Sequence, residues 1–256
     1  MNSWRTAIVS ATDGSIRLRG YDVKQLMTRG TFTDTIFLLQ RGELPTPGQR
    51  RLLDALLSSS ADHGSGAPSC ATARLAASGN RASLSAAVAA GILAIGDEHG
   101  GAGQQCMEMI ARGAARANAE SITVAEAAAK EYTDARAAGK RVPGLGHRVH
   151  KTRDPRRDVL FNMARDEGLA GDGIAFMEGL EAALTADAKT LPVNIDGALA
   201  AVLYDMGFEP AAGKLMFIIA RVAGLAAEVS EEHTREKAMR IRIPVEYDGV
   251  APREMD

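Results

Sequence analysis

KLMFIIARVAGLAAEV (residues 214–229) decides the fold class of this chain. Its apolar residues Leu215, Ile218, Ile219, Val222, Leu225, Ala226 and Val229 recur at steps of three and four, the period of one helix face rather than of a strand. Arg221 falls off that stripe. Working outward, the same period returns almost everywhere. Thr46 caps a predicted helix with Pro47 at its first position and Leu52, Leu53, Leu56 and Leu57 on one face, ending near residue 60. Further helices are predicted over 22–29, 33–40, 69–78, 83–95, 104–117, 124–138, 155–167 and 173–184, with another beginning at Asp196. Residues 5–20 alternate loosely around Asp13-Gly14 and read as a short hairpin or irregular arm, and 241–247 read as extended. The sum is an all-α protein.

Bulk properties narrow the function classes. A chain of 256 residues buries a full core as one large domain or a large and a small one. Thirty basic against thirty-two acidic residues give a net charge of −2, so the chain lacks the basic excess of a nucleic-acid binder. No apolar run reaches the roughly 20 residues of a membrane helix. The first twenty residues lack a signal-peptide core, and Cys70 and Cys106 lack CxxC spacing, which makes the cytoplasm the expected compartment. Aromatics are scarce at 4% while alanine and glycine abound, as in helices that pack closely.

The chemistry concentrates in loops. PGLGHRVHKTRDPRR (residues 143–157) places Gly144, Gly146, His147 and a crowd of cations inside fifteen residues, a site for anions. Three of the five histidines stand in glycine-flanked loops at helix boundaries: His63, His99 and His147. They can converge on one polar cleft or be structural. Zinc is disfavoured because HxxxH and HExxH spacings are absent, and serine hydrolysis because no GxSxG elbow follows Glu98-His99-Gly100-Gly101. Gly144-Leu145-Gly146 is at most half a dinucleotide fingerprint. Asp196 in Asn194-Ile195-Asp196-Gly197 reads either as an N-cap or as a base whose pKa is raised by apolar neighbours.

Together these segments resemble the citrate synthase superfamily over nearly the whole chain. LRGYDVKQLMTRGTFTDTIFLLQRGELP (18–45) is similar to that family's N-terminal region. ADHG (61–64), GDEHGGA (96–102) and GLGHRVHKTRDPR (144–156) resemble its three histidine motifs, and NIDG (194–197) its aspartate motif. FIIARVAG (217–224) resembles its arginine helix, and RIPVEYDG (242–249) its C-terminal arginine segment. Seven motifs stand in the family's order. Between Pro45 and Asp62 there is room for a single helix where full citrate synthases carry a longer helical stretch. That abbreviation, and GILAIGD (91–97), resemble the citryl-CoA lyase module of ATP-citrate lyase and its stand-alone bacterial relatives. His99, in contrast, is the synthase-type residue where the lyase module has an aromatic one, and Arg242-Ile243-Pro244 replaces the usual Arg-Pro.

The resemblance implies a citrate synthase-like fold: a large helical domain over 1–150 and 216–256, and a small helical domain over 151–215. It implies carbon–carbon cleavage or formation between an acyl-CoA enolate and a 2-oxo acid, as citryl-CoA lyase or as citrate or 2-methylcitrate synthase. A non-catalytic CoA-binding scaffold on the same fold is the third reading. Asp196 would exchange the α-proton of acetyl-CoA, His99 would hydrogen-bond the thioester oxygen, and His147 would serve the oxygen of oxaloacetate. His63, Arg156, Arg221 and Arg242 would hold carboxylates, while Gly144, Gly146, Arg148 and Lys151 would receive coenzyme A, with Lys140 and Arg141 behind them. No metal, nucleic acid or membrane is expected, and a homodimer is. His150, Arg153 and Arg157 read as solvated charge.

Overall fold

The computed structural model describes residues 4–12, 14–146, 152–187 and 191–255. Its order is β1 (Val9–Thr12), β2 (Ser15–Leu18), β3 (Tyr21–Asp22), α1 (Val23–Arg29), α2 (Phe32–Arg41), α3 (Pro47–Ser60), α4 (Pro68–Gly79) and α5 (Leu84–Leu93). There follow α6 (Ala102–Glu120), α7 (Val124–Ala137), α8 (Pro155–Asp166), α9 (Asp172–Ala186), α10 (Ile195–Asp205) and α11 (Ala212–Arg235). The N-terminal strands form an antiparallel meander, with Val9 opposite Leu18 and Leu18 opposite Tyr21. Asp13, at the expected hairpin turn, lies outside the described residues.

Local chemistry sets the helix starts. Thr31, Thr46 and Thr123 each build a capping box with the residue three positions on, and Pro47, Pro68 and Pro155 occupy first-turn positions that need no N–H. Burial then chooses the centre. α10 is enclosed by α3, α6, α8, α9 and α11, and each residue from Ala198 to Leu203 is at most 1% exposed. Around it Phe37, Leu53, Phe161, Phe176 and Met177 fill one core, while Cys70, Ala73, Ala87, Leu225 and Val229 fill a second between α4, α5 and α11. Small residues let these helices touch backbone to backbone, as the composition suggested. A Cβ on Gly103 would meet Gly213 O at 2.7 Å, and one on Gly91 would meet Ser69 O at 2.9 Å. Among the described residues no helix is long and apolar enough to cross a membrane.

The decisive helix is rotated from its expected setting. In α11 the buried residues include Gly213, Met216, Phe217, Ala220, Arg221, Gly224, Leu225 and Val229, whereas Leu215 and Val222 of the apolar stripe stay exposed. Close approach explains it. A Cβ on Gly224 would collide with Ala61 O, so the face of small residues, not the bulkiest face, turns inward and carries Arg221 with it.

Candidate active site

Asp196 is the second residue of α10. The N-cap is Asn194, whose side chain accepts the N–H of Gly197 at 3.1 Å, so the capping role left open for Asp196 is already taken. Its carboxylate lines a cavity instead. Burial pushes the Asp196 pKa from 3.8 up to about 6, against the opposing pull of Arg156 and Arg221 and helped by Asp154. Cys106 lies close by, and its thiol is pushed up by burial and by Asp196, which leaves it protonated and inert.

A backbone zipper places this helix start. Asn194 N–H donates to Gly144 O (3.0 Å), Gly146 N–H to Pro192 O (2.8 Å) and Asn194 Nδ2 to Gly146 O (2.9 Å). Gly144 has φ +79°, and a Cβ there would lie 2.8 Å from both Cys106 Sγ and Gly197 Cα. Its missing side chain therefore admits α10. A Cβ on Gly146, φ +77°, would meet only Leu191 among the described residues, at 3.4 Å, and the glycine lines the cavity.

His99 sits just beyond a tight turn. Gly96 and His99 exchange both backbone hydrogen bonds (3.1 and 2.9 Å), which puts Asp97 and Glu98 at the tip, exposed. Gly100, φ +72°, leaves room for the Phe217 ring, which meets the His99 ring edge-on at 6.3 Å. The backbone N–H of Ser69 donates to His99 Nε2 (3.2 Å), and Ser69 Oγ lies 2.9 Å from the same atom. A backbone N–H only donates, so Nε2 accepts and the neutral ring carries its proton on Nδ1.

Arg221 is 3% exposed. It donates to Ser60 O and to Ser69 Oγ, both at 3.1 Å, and its guanidinium lies 4.7 Å from the Phe217 ring centroid. Arg156 is held by the fully buried Asp154 in a two-point pair (Nε to Oδ1 3.1 Å, Nη2 to Oδ2 2.8 Å), while Asp154 also caps α8 through Arg156 N–H. His63 completes the wall. Its pKa is lowered, first by partial burial and then by Arg156 and Arg221, so the ring is neutral at pH 7.

The cavity, about 390 Å³, thus gathers His63, His99, Arg156, Asp196 and Arg221, five residues nominated from sequence. A wider groove of about 750 Å³ shares Glu98, Gly146, Asn194 and Asp196 with it and runs past Arg136, Lys140 and Arg141. His147, Arg148 and Lys151, with His150, lie outside the described residues. Arg242 is exposed and lines neither cavity. Arg157 is a correction: its side chain is only 11% exposed, stacked 4.6 Å over Phe161 and paired with Glu181, because α9 packs an acidic edge against the start of α8.

The sequence profile of the citrate synthase C-terminal domain matches residues 45–242. The chain belongs to the citrate synthase family. Citrate synthase of Deinococcus radiodurans is 29% identical over 237 residues, which are 90% of this chain and 59% of that protein. The chain thus spans about three fifths of this curated relative. Among solved structures, citryl-CoA lyase from Hydrogenobacter thermophilus superimposes with a TM-score of 0.90 at 37% identity, covering 100% of this chain and 98% of that one. ATP citrate lyase of Methanosaeta concilii, solved with (3S)-citryl-CoA, shares the fold alone: TM-score 0.77, 18% identity, 97% of this chain and 42% of that one.

Within this citrate synthase fold, three contributors escaped the sequence reading. Asp154 was not nominated, although an Asp before a helix-opening Pro is a cap signal. Ser60 and Ser69 carried no signal, since their parts arise from packing α3 and α4 against α11.

Proposed function

We propose that the chain is a citryl-CoA lyase, cleaving citryl-CoA to acetyl-CoA and oxaloacetate. The observation that carries this reading is the end-to-end match with the Hydrogenobacter citryl-CoA lyase, made by a chain whose cavity pairs one acid with raised pKa and one N–H donor with two arginines.

In cleavage, a base, assigned to His147, takes the tertiary hydroxyl proton. The carbon–carbon bond breaks toward the thioester, the hydroxyl carbon becomes the ketone of oxaloacetate, and the electron pair enters an enolate. His99 Nδ1–H is assigned to hydrogen-bond that enolate oxygen, a donor worth about 3 kcal/mol in such sites. Asp196, protonated, gives its proton to the enolate carbon; condensation runs each step backwards. His63, Arg156 and Arg221 hold carboxylates, with Arg242 supplied by the second subunit of a homodimer. Coenzyme A takes the wider groove, where Arg136, Lys140 and Arg141 meet its phosphates beside Gly144 and Gly146, joined by Arg148 and Lys151. Residues 151–215 form the smaller domain in this reading, and the compartment is the cytoplasm.

His99 favours a second reading, citrate or 2-methylcitrate synthase. Purified protein is incubated with citryl-CoA and, separately, with acetyl-CoA plus oxaloacetate, while oxaloacetate and free thiol are followed. The lyase releases oxaloacetate from citryl-CoA without free thiol. Free thiol from the second mixture, and from citryl-CoA by hydrolysis of its thioester to citrate, assigns the synthase. Inertness in both, with CoA still bound, returns the scaffold.

A further inference from the structure

Glu181 on α9 lines neither cavity, yet its two carboxylate oxygens take two partners that bear on both. Oε1 accepts the backbone N–H of Val193 at 3.0 Å, and Oε2 accepts Arg157 Nη2 at 2.9 Å. Val193 is fully buried and stands immediately before the Asn194 cap, three residues before Asp196. Arg157 follows Arg156 in the first turn of α8, and it is fixed in turn by Asp158 at 3.0 Å and by the Phe161 ring.

We propose that Glu181 is a positioning residue for Asp196, clamping the backbone of Val193 to the start of α8 so that Asp196 and Arg156 keep a fixed separation. The segment 192–194 alternates like a strand: Pro192 O and Asn194 N–H pair with the glycine loop, whereas Val193 N–H pairs with Glu181. Held from one side only, it would be free to rock about the zipper, and α10 would rock with it. A hydrogen bond to an ionised carboxylate is about twice as strong as a neutral one, and this carboxylate is itself oriented by the largely buried Arg157 guanidinium. Reacting groups tolerate little drift, since a displacement of about 1 Å can cost about a hundredfold in rate. Arg157 thereby gains a part as the residue that aims Glu181.

This inference rests on the acyl-CoA chemistry proposed above, for which the wild-type protein is the control. Glu181→Leu removes both contacts, and Glu181→Gln keeps an acceptor for Val193 N–H while losing the charge. The Leu variant is expected to lose at least about tenfold in kcat with the KM for acyl-CoA within about twofold of wild type, and the Gln variant to recover most of that loss. Amide hydrogens of residues 191–197 should exchange faster in the Leu variant, with α6 unchanged. If Glu181→Leu does not fold, Glu181→Asp, a methylene too short for both partners, carries the same comparison. A folded variant with wild-type kcat overturns the positioning role, and equal losses in Leu and Gln assign the effect to the ion pair and overturn the Val193 clamp. Wild-type protein inert in both substrate mixtures rejects the chemistry instead. The clamp is then judged by amide exchange, where an unchanged 191–197 segment overturns it.

Discussion

Asp196 shows how a single side chain is set against stability for chemistry. Its pKa is raised in the folded protein from 3.8 to about 6, so the native state binds its proton more tightly than the unfolded chain does. The associated stability is present below about pH 3.8 and is lost as pH rises through about 6, amounting to at most about 3 kcal/mol. Asp196→Asn should therefore raise Tm at pH 7.5, with the gain disappearing near pH 4, while turnover is lost; a lowered Tm at pH 7.5 would contradict the burial argument. The same group predicts opposite pH limbs: cleavage needs the acid and should weaken above about pH 6, and condensation needs the carboxylate and should strengthen there. Ser69 tests the neighbouring donor. Ser69→Ala leaves Arg221 Nη1 without its hydroxyl partner and takes the hydroxyl from His99 Nε2, which keeps the backbone N–H of residue 69; this should cost about 1–3 kcal/mol in thermal unfolding and lower kcat more than KM. His63, His99, Arg156, Asp196 and Arg221 were legible because glycine, proline and charge crowd into short loops around most of them. Ser69 was not, because what it does depends on which helix lies opposite; Asp154 acts on Arg156 only two residues on, through a cap and a pair that its place before Pro155 could have signalled.

At the level of elements, caps and periodicity located the helices, and the packing of glycines decided which face went inward. The stripe through Leu215 and Val222 measured hydrophobicity, whereas α11 buries Gly213, Ala220 and Gly224 because neighbouring backbones come within contact there. Sequence periodicity weighs side-chain size and is blind to the absence of one. Arg221 follows from the same rotation: a charge off the apolar stripe became a buried charge once the small face turned in. Gly224→Ala tests this directly. Its Cβ would collide with Ala61 O and lie 2.5 Å from Asp62 Oδ2, next to His63, so the loop must shift. The expected result is a stability loss of about 1–3 kcal/mol by denaturant unfolding, together with a raised KM for the oxo acid. Ala226→Gly on the exposed side of the same helix should cost only about 1 kcal/mol of helix propensity and leave KM alone.

At the level of the whole molecule, the C-terminal segment is the part that folding within one chain leaves unexplained. Arg74, Arg240 and the fully buried Glu232 bind the end of α11 and the residues just after it to α4, and Met239 N–H donates to Ser78 O. Beyond that anchor Ile243, Val245, Tyr247 and Val250 are exposed, each at 59% or more. An anchored root with an apolar, exposed continuation suits an arm that covers a second subunit, and it would carry Arg242 toward that subunit's cavity. Mixing two inactive variants separates this from an arm that folds back on its own chain. In Asp196→Asn the cavity is dead but Arg242 is intact; in Arg242→Ala the reverse holds. If each site draws Asp196 from one subunit and Arg242 from the other, a mixed dimer has one site with both residues intact. Equal amounts, unfolded together and reassociated at random, should then recover about a quarter of wild-type activity. If both residues act within one chain, every site in the mixture lacks one of them, and no activity returns beyond that of the separate variants.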